Sequence, residues 1–366
     1  MMRPDRPSRR FPSARRPTRR RLLASGAVGA LALPAVLSGC GTIRLGGPER
    51  YTPPPPGIDD LFRTDLLALL DRAVAGRDAL AEATGGTGET DPALATVLED
   101  LASALPVQRT ALLTGAQHEQ EQQKATDPAV PSSPAPPDSP QDAAGLVAVL
   151  VELRETAADA ARQVSGSLAR PVAAIGARTA WSVHGLQRAA QAGEVPSLRN
   201  AEEITPSREV PETDPPSIGA EVDYHSTIER AQQQEWYAGY VHEVLAARTG
   251  GAEREEHLTL SDRHRRRAET LGGIAEEDGA PVVARQAVYA LPGGELDQQT
   301  ADSLPALLAR ELLVDHVALV GAAPFARRPL PILAAMQEAE VLVGRVEEMR
   351  PLPSLEAEEG PVSDGG

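Results

Sequence analysis

The chain has 366 residues, 41% of them hydrophobic but only 3% aromatic, and a formal net charge of −16. So acidic a chain repels nucleic acid and anionic lipid headgroups, which argues against an electrostatic nucleic-acid reader and against a body held on a membrane by its own charge. An apolar content dominated by Leu, Ala and Val, with few aromatic side chains, favours closely approaching helices over sheets.

The first 21 residues carry nine arginines against a single acid, Asp5, and residues 22–39 are uncharged and mostly small or apolar. Gly26, Gly29, Pro34 and Gly39 interrupt that apolar run, so it is predicted to be a cleaved export signal and not a spanning helix. Arg19 and Arg20, with Thr18 before them and Leu22-Leu23 after, resemble the twin-arginine signal of the translocase that exports folded proteins. Leu37, Ser38, Gly39 and Cys40 resemble the bacterial lipobox position by position. That resemblance implies cleavage before Cys40 and its diacylation, two chains being enough for stable attachment to a lipid bilayer. The expected location is therefore the extracytoplasmic face of the cell membrane. Cys40 is the sole cysteine, so once acylated it leaves no disulfide within the chain. Losing residues 1–39 removes nine arginines and one aspartate and takes the net charge from −16 to −24.

Residues 40–57, with Pro53-Pro54-Pro55-Pro56, read as the acylated cysteine and an extended tether. Four helical segments follow at about 58–83, 92–123, 142–168 and 171–192, forming an expected first helical domain at 58–195. Leu61, Leu66, Leu69 and Leu70 share one face, as do Leu146, Val149, Leu150 and Leu153. His118, Trp181 and His184 stand on these helices as core or surface residues in preference to ligands. Residues 124–141 and 196–218 are too rich in proline for helix or central strand and are read as loop and linker.

The second half, 219–350, contains four more helical segments at about 219–248, 252–277, 301–323 and 331–350. Two short turns and one long connection, 279–300, give the pattern of a four-helix bundle. The acidic end, 351–366, is expected to be disordered. On a 100-degree wheel the first of these helices aims Tyr224, Ile228, Ala231, Glu235, Ala238, His242 and Leu245 along one stripe. The second aligns His257, Leu260, His264, Ala268, Leu271 and Ala275, with Arg267 beside them. The third aligns Leu304, Leu307, Leu308, Glu311, Val314, Asp315 and Ala318. Ionisable groups buried in such stripes must find one another or a metal.

Glu235-Trp236-Tyr237-Ala238-Gly239-Tyr240, the run from His264 to Leu271, Tyr289-Ala290-Leu291-Pro292 and Glu311 make this half similar to a ferritin-like domain of unknown function. The resemblance covers about a third of the chain and implies a ferritin-like bundle without an established activity. Di-iron ferritins place a Glu-x-x-His pair on each of two helices. No histidine here follows a glutamate by three residues: His264 follows Ser261 and His316 follows Leu313. The fourth helix keeps an apolar stripe of Ile332, Ala335, Met336, Ala339, Leu342, Val343 and Val346, with Glu338 at its edge.

The sequence therefore predicts an all-α, lipid-anchored protein with a helical first domain and a C-terminal ferritin-like bundle. Its expected role is a noncatalytic binding or scaffold protein of the cell envelope. The partner is an unidentified envelope protein or small ligand, and neither nucleic acid nor a cofactor is expected. In that reading Glu235, His242, His264, Arg267, Glu311 and Asp315 form a structural polar network. The alternative is a metal-binding protein or metal-dependent enzyme in which Glu235, His264 and Glu311 hold a single transition metal. Whether the protein is an enzyme stays open at this point, since no phosphate loop, nucleophile elbow or free cysteine is present.

Overall fold

Every residue from Val172 to Val183 is buried, so the middle of the helix that carries this Ala-rich run has no solvent face and acts as the hub of the fold. The computed structural model describes residues 56–85, 91–126, 136–209, 220–291 and 296–355. Arg19, Arg20, Leu37, Ser38, Gly39 and Cys40 lie outside these residues, with the tether up to residue 55, positions 210–219 and positions 356–366. Among the described residues the fold is all-α, with no strand. The α-helices are α1 (Ile58–Gly85), α2 (Pro92–Leu112), α3 (Gly115–Thr126), α4 (Ala143–Gln163), α5 (Gly166–Ala190), α6 (Ala220–Arg248), α7 (Gly251–Glu277), α8 (Gln298–Ala322) and α9 (Pro329–Leu342). None of these helices is long and apolar enough to cross a membrane.

Helix α5 packs against α4, α2, α8 and α9, α1 lies on α4 and α2, and α6 joins α7 to α8. The largest core accordingly runs through both halves of the chain, from Leu66, Leu105, Leu150 and Ile175 to Leu313, Val317, Ile332 and Met336. The helices of the expected first domain thus share a core with α8 and α9 instead of closing on themselves. Small side chains make this possible. A Cβ built on Gly176 would lie 2.5 Å from the Cε of Met336 on α9, and one on Gly166 would lie 2.5 Å from the carbonyl oxygen of Gly321 on α8.

Arg328, buried between the halves, closes two helix ends at once. It donates from Nε to Ala323 O at 2.8 Å and from Nη1 to Val164 O at 2.5 Å, satisfying carbonyls left over at the C-termini of α8 and α4. The favourable dipole of both termini adds to the effect.

Several expected boundaries move. The segment predicted at 92–123 is two helices, because the chain leaves α2 extended at Leu113 before α3 begins. Pro171 lies inside α5, and the break falls at Val164–Ser165, where the Asp59 carboxylate accepts bonds from the Ser165 N–H and hydroxyl at 2.9 and 2.6 Å. The described part of the linker is laid on the body. Ile204 is buried in the main core, Arg199 pairs with Glu155 and Asp159 of α4, and Arg208 pairs with Asp65 of α1. Helix α9 ends at Leu342, eight residues before the expected position 350, and the chain beyond it also packs. Met349 and Leu352 join the core, and Arg170 donates to Ser354 O at 2.5 Å, so residues 351–355 are not part of a disordered tail.

The two close approaches of α5 differ in what blocks them. Gly176→Ala meets the free end of a flexible methionine and should cost under about 1 kcal/mol, whereas Gly166→Ala meets backbone and should cost about 1–3 kcal/mol. Urea denaturation of the two variants measures the difference, and equal costs would contradict this packing.

Candidate functional site

Four helices of the second half converge on one buried carboxylate. Glu235 of α6 has no exposed surface. Its neighbours one turn away, Ala231 and Ala238, are also buried and small, and they let α7 and α8 close over it. Ser261 of α7 donates to the Gly239 carbonyl of α6 at 2.7 Å, which sets the register that brings His264 opposite Glu235.

The Oε2 atom of Glu235 accepts from Nδ1 of His264 at 2.7 Å. Its Oε1 accepts from Nε2 of His316 at 2.6 Å and from Nη1 of Arg267 at 3.1 Å. Arg267 then reaches α9, donating from Nη1 to Glu338 at 2.5 Å and from Nη2 to Gln337 at 2.6 Å. Two further imidazoles extend the cluster towards the far end of α7. The ring of His242 stacks on that of His264 at 5.4 Å with 9° between planes, and its Nδ1 lies 3.1 Å from Nδ1 of His257. That contact requires one nitrogen to carry the proton and the other to accept it, so the two rings cannot both be imidazolium.

Burial by itself would raise the carboxyl pKa of Glu235. The positive charge of Arg267, followed by His264 and His316, outweighs it and holds the group well below the ordinary carboxylate value. Arg267 is raised, because the pull of Glu235 and Glu338 exceeds the desolvation that opposes it. His242 is lowered well below the ordinary histidine value by burial, then by His264 and His257. His257 is lowered by burial against the opposing pull of Glu253 and Glu256. The core of the site is therefore an ionised carboxylate facing a guanidinium, with an adjoining imidazole pair held uncharged.

Glu235, His242, His264 and Arg267 occupy the cluster that their stripe positions predict. Glu311 does not: it is exposed, as are Leu307 and Val314 of the same expected face. Asp315 is buried but pairs with Arg230 at 2.8 Å, outside the network around Glu235. The correction has one cause. Helix α8 is covered by α6 on one side and by α5 and α9 on the other, so its buried surface is broad and turned toward Leu304, Leu308, Leu312 and His316. The spacing of four between Leu308, Leu312 and His316 was the available signal for His316, and burial of the whole α9 stripe brings in Glu338. The metal set Glu235, His264 and Glu311 is not assembled. Among the described residues no group of three or more His, Cys, Asp or Glu side chains is arranged to hold a metal ion.

Removing one partner from this cluster strands the other. Glu235→Ala takes from buried Arg267 one of its two carboxylates and from His264 and His316 their shared acceptor, and should cost about 3–5 kcal/mol, and Glu235→Gln, which keeps the shape but not the charge, most of that. Chemical denaturation measures both, and a cost under about 1 kcal/mol would contradict the geometry.

Acid should weaken the fold in two stages. His242 and His257 titrate below their unfolded value of 6.5, so their contribution is complete above pH 6.5 and is lost as pH falls beneath it. Glu235 lies below its ordinary 4.5, so its contribution persists to about that pH and is lost only under it. Urea midpoints between pH 8 and pH 4 should stay level, then fall from about 6.5. In His242→Gln the first decline should shrink, and an unchanged profile would contradict the assignment.

Residues 227–357, just over a third of the chain, match the model of a domain of unknown function, DUF4439. The match starts within α6 and covers the whole cluster around Glu235. No curated protein and no solved structure matches the chain.

Proposed function

We propose that this is a lipid-anchored protein of the outer face of the cell membrane, a noncatalytic binding or scaffold protein whose C-terminal helices form a ferritin-like bundle. The supporting observation is the composition of the buried cluster. Three donors, His264, His316 and Arg267, fill the Glu235 carboxylate, and the positive charge opposite it is a guanidinium. A cluster balanced in this way holds α6, α7, α8 and α9 in register through its own side chains.

The metal-dependent alternative rests on one atom. Nδ1 of His316 is buried without a hydrogen-bond partner, while Nε2 of the same ring is oriented by a carboxylate, as in histidines that bind metals. The exposure of Glu311 removes the third ligand that this alternative needs.

Two measurements on protein from its native host test the proposal. Cys40→Ser should move the protein from the membrane to the soluble fraction with the mass of an unacylated chain, and retention on the membrane would contradict the anchor. Metal analysis of the exported protein should find no stoichiometric transition metal. Stoichiometric metal lost on His316→Ala would establish the alternative.

A further inference from the structure

Gln232, Trp236, Tyr237 and Tyr240 of α6 take no part in the network around Glu235, and all four hold one segment of the chain. Residues 280–291, which follow α7, form neither helix nor strand. The side-chain amide of Gln232 donates from Nε2 to Pro281 O and accepts at Oε1 from the Val283 N–H, both at 3.0 Å. Nε1 of Trp236 donates to Val283 O at 3.1 Å. Further along, the ring of Tyr289 packs on those of Tyr237 and Tyr240, with centroids 6.0 and 5.4 Å away. Ala280 pins the other end: it is buried, and its N–H donates to Ala275 O at 2.8 Å.

Helix α6 thus stands in for a neighbouring strand. Four residues along a helix rise about 6 Å, close to the roughly 6.6 Å of two residues along a strand, so Gln232 and Trp236 meet successive bonding positions of the segment. Each trans peptide turns its N–H and C=O to opposite sides. With Pro281 O, Val283 N–H and Val283 O facing α6, the N–H and C=O of Val282 and the N–H of Ala284 point away from it. These three groups find no partner among the described residues. Val282 is 57% exposed and Ala284 is exposed beside it. Exposed edges are commonly blunted by charge, yet the run Pro281-Val282-Val283-Ala284 carries none.

We propose that this edge docks an extended, basic segment of a partner protein, which pairs main chain to main chain with Val282 and Ala284. A row of outward backbone groups on a segment held rigid from behind is complementary to another extended chain. The flanking charge sets the sign. A Cβ built on Gly272 of α7 would lie 3.9 Å from Cγ1 of Val282, so the edge runs beside α7 there, and the exposed Glu269 and Glu276 share that helix face. Arg285, the segment's one cation, lies 4.0 Å from Glu243. A second copy of a chain with net charge −16 would approach against repulsion, whereas a basic strand is drawn in. The inference rests on the binding or scaffold reading and gives the chemistry of the partner. Failure to dock a strand would leave the membrane fractionation and the metal analysis unaffected, so the two fail separately.

The test titrates the full chain into fluorescently labelled octapeptides and follows their anisotropy. The probes are a peptide of alternating valine and lysine, the same peptide N-methylated throughout, and its valine and glutamate counterpart. The basic peptide should bind with Kd below about 1 mM, and N-methylation, which removes its donors and leaves the protein untouched, should weaken it about tenfold or more. The acidic peptide should bind at least about tenfold more weakly than the basic one. Ala284→Pro deletes one outward N–H and no internal bond, so it should weaken the basic peptide by a similar factor at an unchanged melting temperature, while Val282→Thr, which keeps the backbone, should leave binding as it is. No binding of the basic peptide, equal binding of its N-methylated or acidic form, or binding unchanged in Ala284→Pro would overturn the proposal. Self-association of the chain that Ala284→Pro abolishes, in place of peptide binding, would overturn it in favour of an interface between two copies.

Discussion

A carboxylate with no exposed surface stays ionised only if its surroundings supply compensating charge, and in this protein four helices converge to supply it to Glu235. Desolvating a single carboxylate costs several kcal/mol, more than any one helix contact returns. Arg267 offsets that cost only when α6, α7 and α9 stand at one register, because the same guanidinium must reach both Glu235 and Glu338. His316 adds α8 to the requirement. The apolar contacts of these helices drive association without fixing register, since Leu, Ala and Val tolerate sliding. The polar cluster is what distinguishes one arrangement from its neighbours.

This requirement reaches the rest of the molecule through α8 and α9. Both helices place one face on the second-half bundle and another on α5, whose small residues admit helices on all sides. The register set at Glu235 is thereby carried into the core shared with α1, α2 and α4. A cleft along α8 is a consequence of the same geometry. With α8 committed inward on two sides, its remaining face and the segment after α9 are left lining a cleft against α2.

The fold class, the helix count of the second half and the inward direction of Glu235, His242, His264 and Arg267 were legible because a 3.6-residue period forces these positions onto one stripe. Glu311 was misplaced because α8 is buried on two sides, so a one-stripe reading selects the wrong edge of a wide face. Glu338 was read at the edge of its stripe, yet Arg267 draws it into the interior, a pairing across 71 positions that periodicity does not encode. The break at Ser165 escaped for a related reason, since Ser165 is held by Asp59 from 106 positions away. The break at Leu113 had a local signal, the capping box in which Thr114 and Gln117 each accept from the other's backbone N–H. The sharing of one core by both halves could not be read at all, because it depends on which faces of α5 are covered.

A double-mutant cycle between Glu235 and Arg267 tests the central claim most directly. Glu235→Gln, Arg267→Met and the double variant are compared by urea denaturation at neutral pH. If the buried pair sets the register of the bundle, each single variant loses several kcal/mol and the double variant recovers about 2–3 kcal/mol of the summed loss, because Glu235 and Arg267 no longer strand each other, while the loss at Glu338 is common to both variants that lack Arg267 and cancels from the cycle. Strictly additive losses would contradict the account.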